Sequence, residues 1–218
     1  MRLRTRRVSI ATMNLSLEHR RLLLDTARAV IRSALSARRL ELPDDCDPQL
    51  TVPAGCFVSL HDRLTHRLRG CVGRLVSESP LLDTLQHTAA GVLEDPRFVD
   101  RPVTLAELPR LELEVSVLSP LEPARDPLDF DPPVHGIYLV FGQRTGCFLP
   151  QVARETGWTH QQLLDRLCTE KLGMSPLTWQ NPSARLFRFT VTLIGPEPFD
   201  GWLSGVEPQQ PGRDAVET

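Results

Sequence analysis

The chain is almost without lysine: Lys171 is the only one, so its positive charge is carried by arginine. Its net charge is −2, which gives no excess positive field to attract nucleic acid or an anionic membrane. No apolar run approaches the ~20 residues that a membrane-spanning helix needs. The sequence therefore predicts neither nucleic-acid binding nor membrane insertion.

The five cysteines include no pair with two-residue spacing, and their number is odd. This pattern argues against both a zinc knuckle and a disulfide framework. The histidines also lack metal-ligand spacing, so we expect no intrinsic metal site and no cofactor. A reducing cytoplasm is the location that fits this cysteine pattern best, and the N-terminus shows no signal-peptide apolar region.

Helical and strand patterns alternate irregularly along the chain. Helices are predicted over 17–38 with Ser16 as the N-cap, from the cap Ser79 to about 94, and from the capping-box residue Thr159 to 172. Apolar runs and apolar alternation predict strands over 56–61, 111–117, 137–141, 146–149 and 187–193. Because no regular βαβ rhythm is present, the predicted fold class is α+β.

The segment 68–74, which reads LRGCVGR, is the first candidate for chemistry. Gly70 and Gly73 flank Cys71, and glycine is used where the backbone needs positive φ or where another group comes close. A thiol beside arginine and free backbone N–H groups can be stabilised as a thiolate and act as a nucleophile. The alternative is that Cys71 is a small buried residue in a tight turn.

Other polar residues could bind or activate a substrate. Arg69 could hold a carboxylate or phosphate, or instead form an ion pair with Asp95 or Glu114. Glu114 and Ser116 lie on one side of their predicted strand, where Glu114 could act as an acid or base or simply face water.

Gln151 follows Pro150 at a predicted helix start, where it could bind a ligand or cap the helix. Four histidines are further candidates for a general base: His61, His66, His87 and His135. The segment 95–98, DPRF, is interpreted as structural, with Phe98 anchoring its loop in the core.

Several segments together resemble the AMMECR family, whose prokaryotic members are called AmmeMemoRadiSam system protein A. Segment 68–73 resembles the family hallmark LRGCIG, with Val72 in place of isoleucine. The other matching segments, in order, are GCFVSL at 55–60, DPRF at 95–98, EL at 107–108 with LEVSVL at 113–118, FLPQV at 148–152 with Trp158, and the block from Cys168 to Trp179.

The resemblance covers roughly residues 17–194 and implies two lobes of mainly antiparallel sheet with packed helices and a cleft between them. We expect one such domain over 16–199, between flexible tails at 1–15 and 200–218. The candidate site comprises catalytic Cys71 and Glu114, with Arg69, Gly70, Gly73, Ser116 and Gln151 in substrate binding.

The family's biochemical role is not established. The resemblance implies Memo-like and radical S-adenosylmethionine (SAM) proteins as partners. One hypothesis is an enzyme, or the substrate-binding component of one, acting on a small anionic substrate in the cleft. The alternative is a non-catalytic adaptor in which the hallmark segment forms a protein-docking groove.

Overall fold

The computed structural model of the protein describes residues 15–36 and 47–199. Predictions for the two tails beyond this range, for Cys46 and for the end of the first helix fall outside the described residues. The elements in chain order are α1 (Leu17–Ser36), β1 (Cys56–Asp62), β2 (Leu68–Arg74), α2 (Leu81–Gly91), β3 (Leu111–Leu118), β4 (Glu122–Pro123), β5 (Gly136–Phe141), β6 (Arg144–Phe148), α3 (Pro150–Thr156), α4 (His160–Arg166), β7 (Arg185–Phe189) and β8 (Val191–Pro198).

The first lobe is a four-stranded antiparallel sheet in the order β2-β1-β3-β8. Helices α1 and α2 pack on one of its faces and bury an aliphatic core against it. Alternate strand residues such as Val58 and Val115 point into that core, because successive side chains of a strand point to opposite faces. The intervening residues are therefore left to form the other face.

The second lobe is a four-stranded antiparallel sheet in the order β4-β7-β5-β6. Its separate core is built from α4, a following π-helical turn (Leu167–Lys171) and the facing strand residues. Trp158 and Trp179 pack against this core. The α+β prediction is confirmed: the chain forms two antiparallel sheets, each with its own helices.

A two-stranded ribbon connects the lobes. The sequence predicts one strand over 187–193, but the structure divides it at Thr190 into β7 and β8, which belong to different sheets. Ser119 explains the division: its N–H donates to the Thr190 carbonyl at 3.0 Å, and its hydroxyl accepts from the Thr190 N–H at 3.0 Å. A side-chain acceptor thus replaces one backbone carbonyl of the ladder, and the strand changes sheets there.

The predicted helix caps are correct at two of three starts. The Ser16 hydroxyl accepts from the His19 N–H at 3.1 Å, and Thr159 forms a complete capping box with Gln162. The predicted Ser79 cap is wrong: α2 begins two residues later, with Pro80 at the N-cap and no side-chain cap. No helix in the described part of the chain is both long and apolar enough to cross a membrane.

Candidate functional site

The hallmark segment is an edge strand rather than a tight turn. It forms β2, paired on one side with β1, and neither Gly70 nor Gly73 has positive φ. Close approach explains both glycines instead. A Cβ at Gly70 would lie 2.8 Å from the Val92 carbonyl oxygen, and one at Gly73 would overlap the ring of Phe57. The glycines therefore let β2 pack tightly against its surroundings on both faces.

Two side chains hold the outer edge of β2 at Cys71. Asp95 accepts a hydrogen bond from the Cys71 N–H at 2.8 Å, and Arg97 Nη2 donates to the Cys71 carbonyl at 3.0 Å. Arg97 also binds Asp95, with 2.6 Å between Nη2 and Oδ2. This pair, the Asp95–Arg97 clamp, takes the place that a neighbouring strand would fill.

The clamp also explains the ionisation of Asp95. Its carboxylate is buried, yet its hydrogen bonds with Arg97, and secondarily the one from the Cys71 N–H, hold the pKa of that carboxyl well below its usual range. Asp95 therefore stays charged at all but the lowest pH.

The predicted structural role of segment 95–98 rests on this aspartate more than on Phe98. Phe98 is only half-buried and lies near the guanidinium groups of Arg69 and Arg97 rather than anchoring the core.

The geometry at Cys71 brings its side chain against Ser59. Because the Cys71 N–H and C=O both point outward to the clamp, Cys71 and its β1 partner Ser59 form a non-hydrogen-bonded pair, the kind whose side chains lie closer. The Ser59 hydroxyl accordingly donates to the Cys71 sulfur at 3.2 Å. A thiol and a hydroxyl donor thus stand side by side on the face that the helices do not cover.

Strand register extends this pair into a row. Ser59 pairs with Cys71 on one side and with Glu114 of β3 on the other. Ser116 lies two residues along β3 from Glu114 and shares its face. We refer to these four residues, Cys71, Ser59, Glu114 and Ser116, as the Cys71 face.

Glu114 is the ionisable carboxyl of this face. Burial raises its pKa above the ordinary value, and the nearby Glu112 carboxylate adds to the shift. In the folded protein Glu114 therefore keeps its proton to a higher pH than in the unfolded chain. Its contribution to stability is largest below the unfolded pKa and falls as the pH rises through the folded one. A carboxyl with a raised pKa is suited to give or take a proton.

Arg69 has a different partner from those expected. Its guanidinium binds the Glu107 carboxylate through two bonds, Nε to Oε1 at 2.6 Å and Nη2 to Oε2 at 3.1 Å, and also donates to the Arg101 carbonyl. The bidentate bond lowers the pKa of Glu107. The ion pair foreseen with Asp95 or Glu114 is thus made with Glu107 instead. A role for Arg69 in holding an anion stays a prediction.

Gln151 lies apart from the other candidates, in the first turn of α3 in the second lobe. It does not cap that helix, because the N-cap is Leu149 and no side chain caps it. The Gln151 Oε1 atom is buried and has no hydrogen-bond partner among the described residues. The structure therefore does not bring Gln151 into the row of residues around Cys71.

The histidines form no shared site. Burial lowers the pKa of His61, and the His66 Nδ1 lies 3.5 Å from the carboxylate of Glu112 on β3. His87 and His135 each bond locally, to a backbone carbonyl and a backbone N–H respectively. Within residues 15–36 and 47–199, no group of three His, Cys, Asp or Glu residues could hold a metal ion.

Sequence reasoning missed Ser59 and the clamp as parts of the site. The place of Ser59 depends on the length of the β1–β2 loop: the loop spans residues 63–66 and pairs Ser59 with Cys71, whereas a two-residue turn at 62–63 would put Ser59 opposite His66. The clamp had no signal in the sequence, because its contacts join an edge strand to a loop more than 20 positions away. Two cavities, of about 940 and 410 Å³, lie elsewhere, and no residue of the Cys71 face lines either.

Comparison with known proteins agrees with this architecture. A family model described as AMMECR1 matches residues 24–194, which span most of both lobes. A protein of Methanothermobacter thermautotrophicus is 36% identical over 83% of this chain and 95% of its own length. A protein of Thermococcus gammatolerans is 34% identical over 78% of this chain and 86% of its own. The crystal structure of the uncharacterised protein PH0010 from Pyrococcus horikoshii has a TM-score of 0.67 and 31% identity, covering 80% of this chain and 89% of that one.

Proposed function

Because the chain belongs to the AMMECR1 family, we propose that it is the catalytic or substrate-binding component of a system that includes Memo-like and radical SAM proteins, with the Cys71 face as its working surface. The observation that carries the proposal is the Ser59 hydroxyl donating to the Cys71 sulfur at 3.2 Å. A donor at that position stabilises negative charge as it develops on sulfur, which a thiol needs when it attacks or binds an electrophile.

The surroundings of the thiol support a substrate-contacting role. Cys71 is partly exposed, whereas its strand is fixed by the Asp95–Arg97 clamp. Holding the peptide on its outer edge fixes where the side chain points, and positional precision of this kind is what catalysis requires of a reacting group. Glu114, on the next strand but one, is the group that would transfer a proton.

A small anionic substrate fits the charges beside Cys71. The Arg97 side chain is 56% exposed, and its Nη1 takes part in none of the bonds within the clamp. A guanidinium with an outward N–H can bind a carboxylate or phosphate without breaking its existing ion pair. Arg97 is better placed than Arg69 to hold an anion near the thiol, because the Arg69 side chain is only 12% exposed and is bound to Glu107 and to the Arg101 carbonyl.

The proposal can be tested by site-resolved alkylation. We expect iodoacetamide at pH 7 to 8 to modify Cys71 before the three other described cysteines. Cys56 is fully buried with its pKa raised to about 11, and burial also raises the pKa of Cys147 and Cys168. We expect Ser59→Ala to slow alkylation of Cys71 by roughly three- to tenfold, the rate ratio that corresponds to the loss of one hydrogen bond of about 1 kcal/mol.

The exposed Ser183→Ala, in the second lobe, is the matched control and should leave the Cys71 rate unchanged. Peptide mass spectrometry gives the rate at each cysteine separately. If Cys71 reacts no faster than Cys147, or if Ser59→Ala has no effect on it, the reactive-thiol role is wrong and the adaptor alternative is favoured.

A further inference from the structure

A cavity of about 410 Å³ lies in the second lobe, at the end of the short pairing between β4 and β7. The Ala124 N–H still donates to the Leu186 carbonyl at 2.9 Å, but the chain then turns. Asp126 Oδ1 accepts from the Leu128 N–H at 2.8 Å, and Pro127 has no N–H with which to continue a ladder. The cavity is situated where the chain thus leaves the sheet.

The wall of this cavity is mostly apolar and includes two aromatic rings that are held in place. The Trp179 Nε1 donates to the Asp165 carboxylate at 2.7 Å, and the Phe187 ring lies 6.2 Å from the ring of Tyr138. Both Trp179 and Phe187 are half-buried, so part of each ring remains accessible. A cavity of this volume with an apolar wall and few charged groups is typical of a site for one small organic molecule.

The charged residues of the wall are Arg125, Arg185 and Asp126. Both arginines are exposed, and among the described residues neither guanidinium makes a hydrogen bond or an ion pair. The carboxylate of Asp126 is already used within its own turn, where it accepts from Leu128. Two positive charges and one negative charge leave a single positive charge at the cavity, which matches a monoanion. A guanidinium without a partner can bind a carboxylate through two parallel hydrogen bonds.

We propose that this cavity binds a small aromatic molecule that carries one carboxylate, at a site separate from the Cys71 face. The aromatic body lies against Trp179 and Phe187, because aromatic rings favour contact with one another. The carboxylate binds at the rim, to the guanidinium groups of Arg125 and Arg185. A phosphate monoester fits less well, since it carries close to two negative charges at neutral pH and the second would be left uncompensated.

NMR titration of the full-length protein with 2-naphthoate tests this assignment. The reporters are the indole N–H of Trp179 and the backbone amide of Ala184, two residues that line the cavity. We expect both signals to shift and to saturate as 2-naphthoate is added. The neutral analogue 2-naphthamide has the same ring system without the charge. It should bind about tenfold more weakly, the ratio that corresponds to one charge-assisted hydrogen bond.

The double variant Arg125→Gln with Arg185→Gln separates the charge from the apolar wall. It should weaken binding of 2-naphthoate about tenfold and leave binding of 2-naphthamide unchanged, and the fold should be retained because both side chains are exposed. The matched control is Arg144→Gln with Arg154→Gln. These two arginines are also exposed in the second lobe but do not line the cavity, so 2-naphthoate should bind to this variant as it does to the unmodified protein.

Four results would overturn the proposal. The first is that neither reporter signal shifts with 2-naphthoate. The second is equal affinity for 2-naphthoate and 2-naphthamide, or equal weakening in the control variant, because the two arginines would then not be reading a carboxylate. The third is tighter binding of 2-naphthyl phosphate than of 2-naphthoate, which would assign the cavity to a dianion. The fourth is a shift of both signals with a proline-rich peptide that 2-naphthoate does not displace, which would assign the cavity to a protein segment.

Discussion

Asp95→Ala should lower the free energy of unfolding by about 3 kcal/mol, near the lower end of the range for breaking a buried ion pair. The substitution removes the acceptor of the Cys71 N–H and of the bonds from Arg97. The loss stays near the lower end because Arg97 is 56% exposed and can be solvated once its partner is gone. Urea unfolding gives the value, and Glu94→Ala, an exposed acid beside it, is the control.

The difference in unfolding free energy between the unmodified protein and Asp95→Ala should also depend on pH in a characteristic way. Since the pKa of Asp95 is lowered in the fold, its stabilisation is present above the unfolded value of about 3.9 and is lost as the pH falls through the folded one. The difference between the unmodified protein and Asp95→Ala should therefore be constant near neutral pH and shrink below about pH 4. A difference that stays constant down to pH 2 would show that the charge of Asp95 contributes nothing.

Gly73→Ala should also destabilise the fold by about 3 kcal/mol, at the upper end of what overpacking costs. The new methyl group would overlap the Phe57 ring and lie 2.5 Å from the Cys56 carbonyl oxygen. The ring can rotate away, but the carbonyl is part of β1 and cannot move without breaking strand pairing. Adding Phe57→Ala to Gly73→Ala should therefore remove only part of the destabilisation that Gly73→Ala causes. A double-mutant cycle of the two substitutions measures that part.

Gly91→Ala is the matched control for this substitution. Gly91 is the last residue of α2, has a helical φ of −65°, and a Cβ there would meet only Val72 at an ordinary 3.7 Å. Replacing a glycine by alanine at such a position should leave stability unchanged or raise it slightly. If Gly73→Ala is tolerated as well as Gly91→Ala, close approach is not the reason for glycine in the hallmark segment.

The sequence predicts those parts of the fold that local patterns determine. Thr159 with Gln162 defines a helix start because the capping box is local, and the alternation over 111–117 predicts β3, Leu111–Leu118, to within one residue. The division at Thr190 could not be predicted, since it depends on Ser119, which is distant in sequence. Ser79 fails as a cap for a local reason: Pro80, with φ −46° and ψ 147°, takes the N-cap position itself.

The candidate site was predictable in part for the same physical reason. Cys71, Glu114 and Ser116 could be named from motif and strand alternation, and register places the first two in one row. What surrounds them is set by tertiary contacts. The Arg69 partner proved to be Glu107, which lies 38 positions along the chain, because an edge strand and a loop meet only in the folded protein.

The most direct test of the Cys71 face as the working surface is protection of its thiol by the proposed partners. The measurement is the iodoacetamide rate at Cys71 with and without saturating Memo-like and radical SAM proteins from the same organism. We expect the alkylation rate at Cys71 to fall about tenfold, because partners bound to ~90% of the molecules leave ~10% of the thiol accessible. The rate at Cys147 in the second lobe should stay the same. A Cys71 rate that the partners leave unchanged would contradict the proposal.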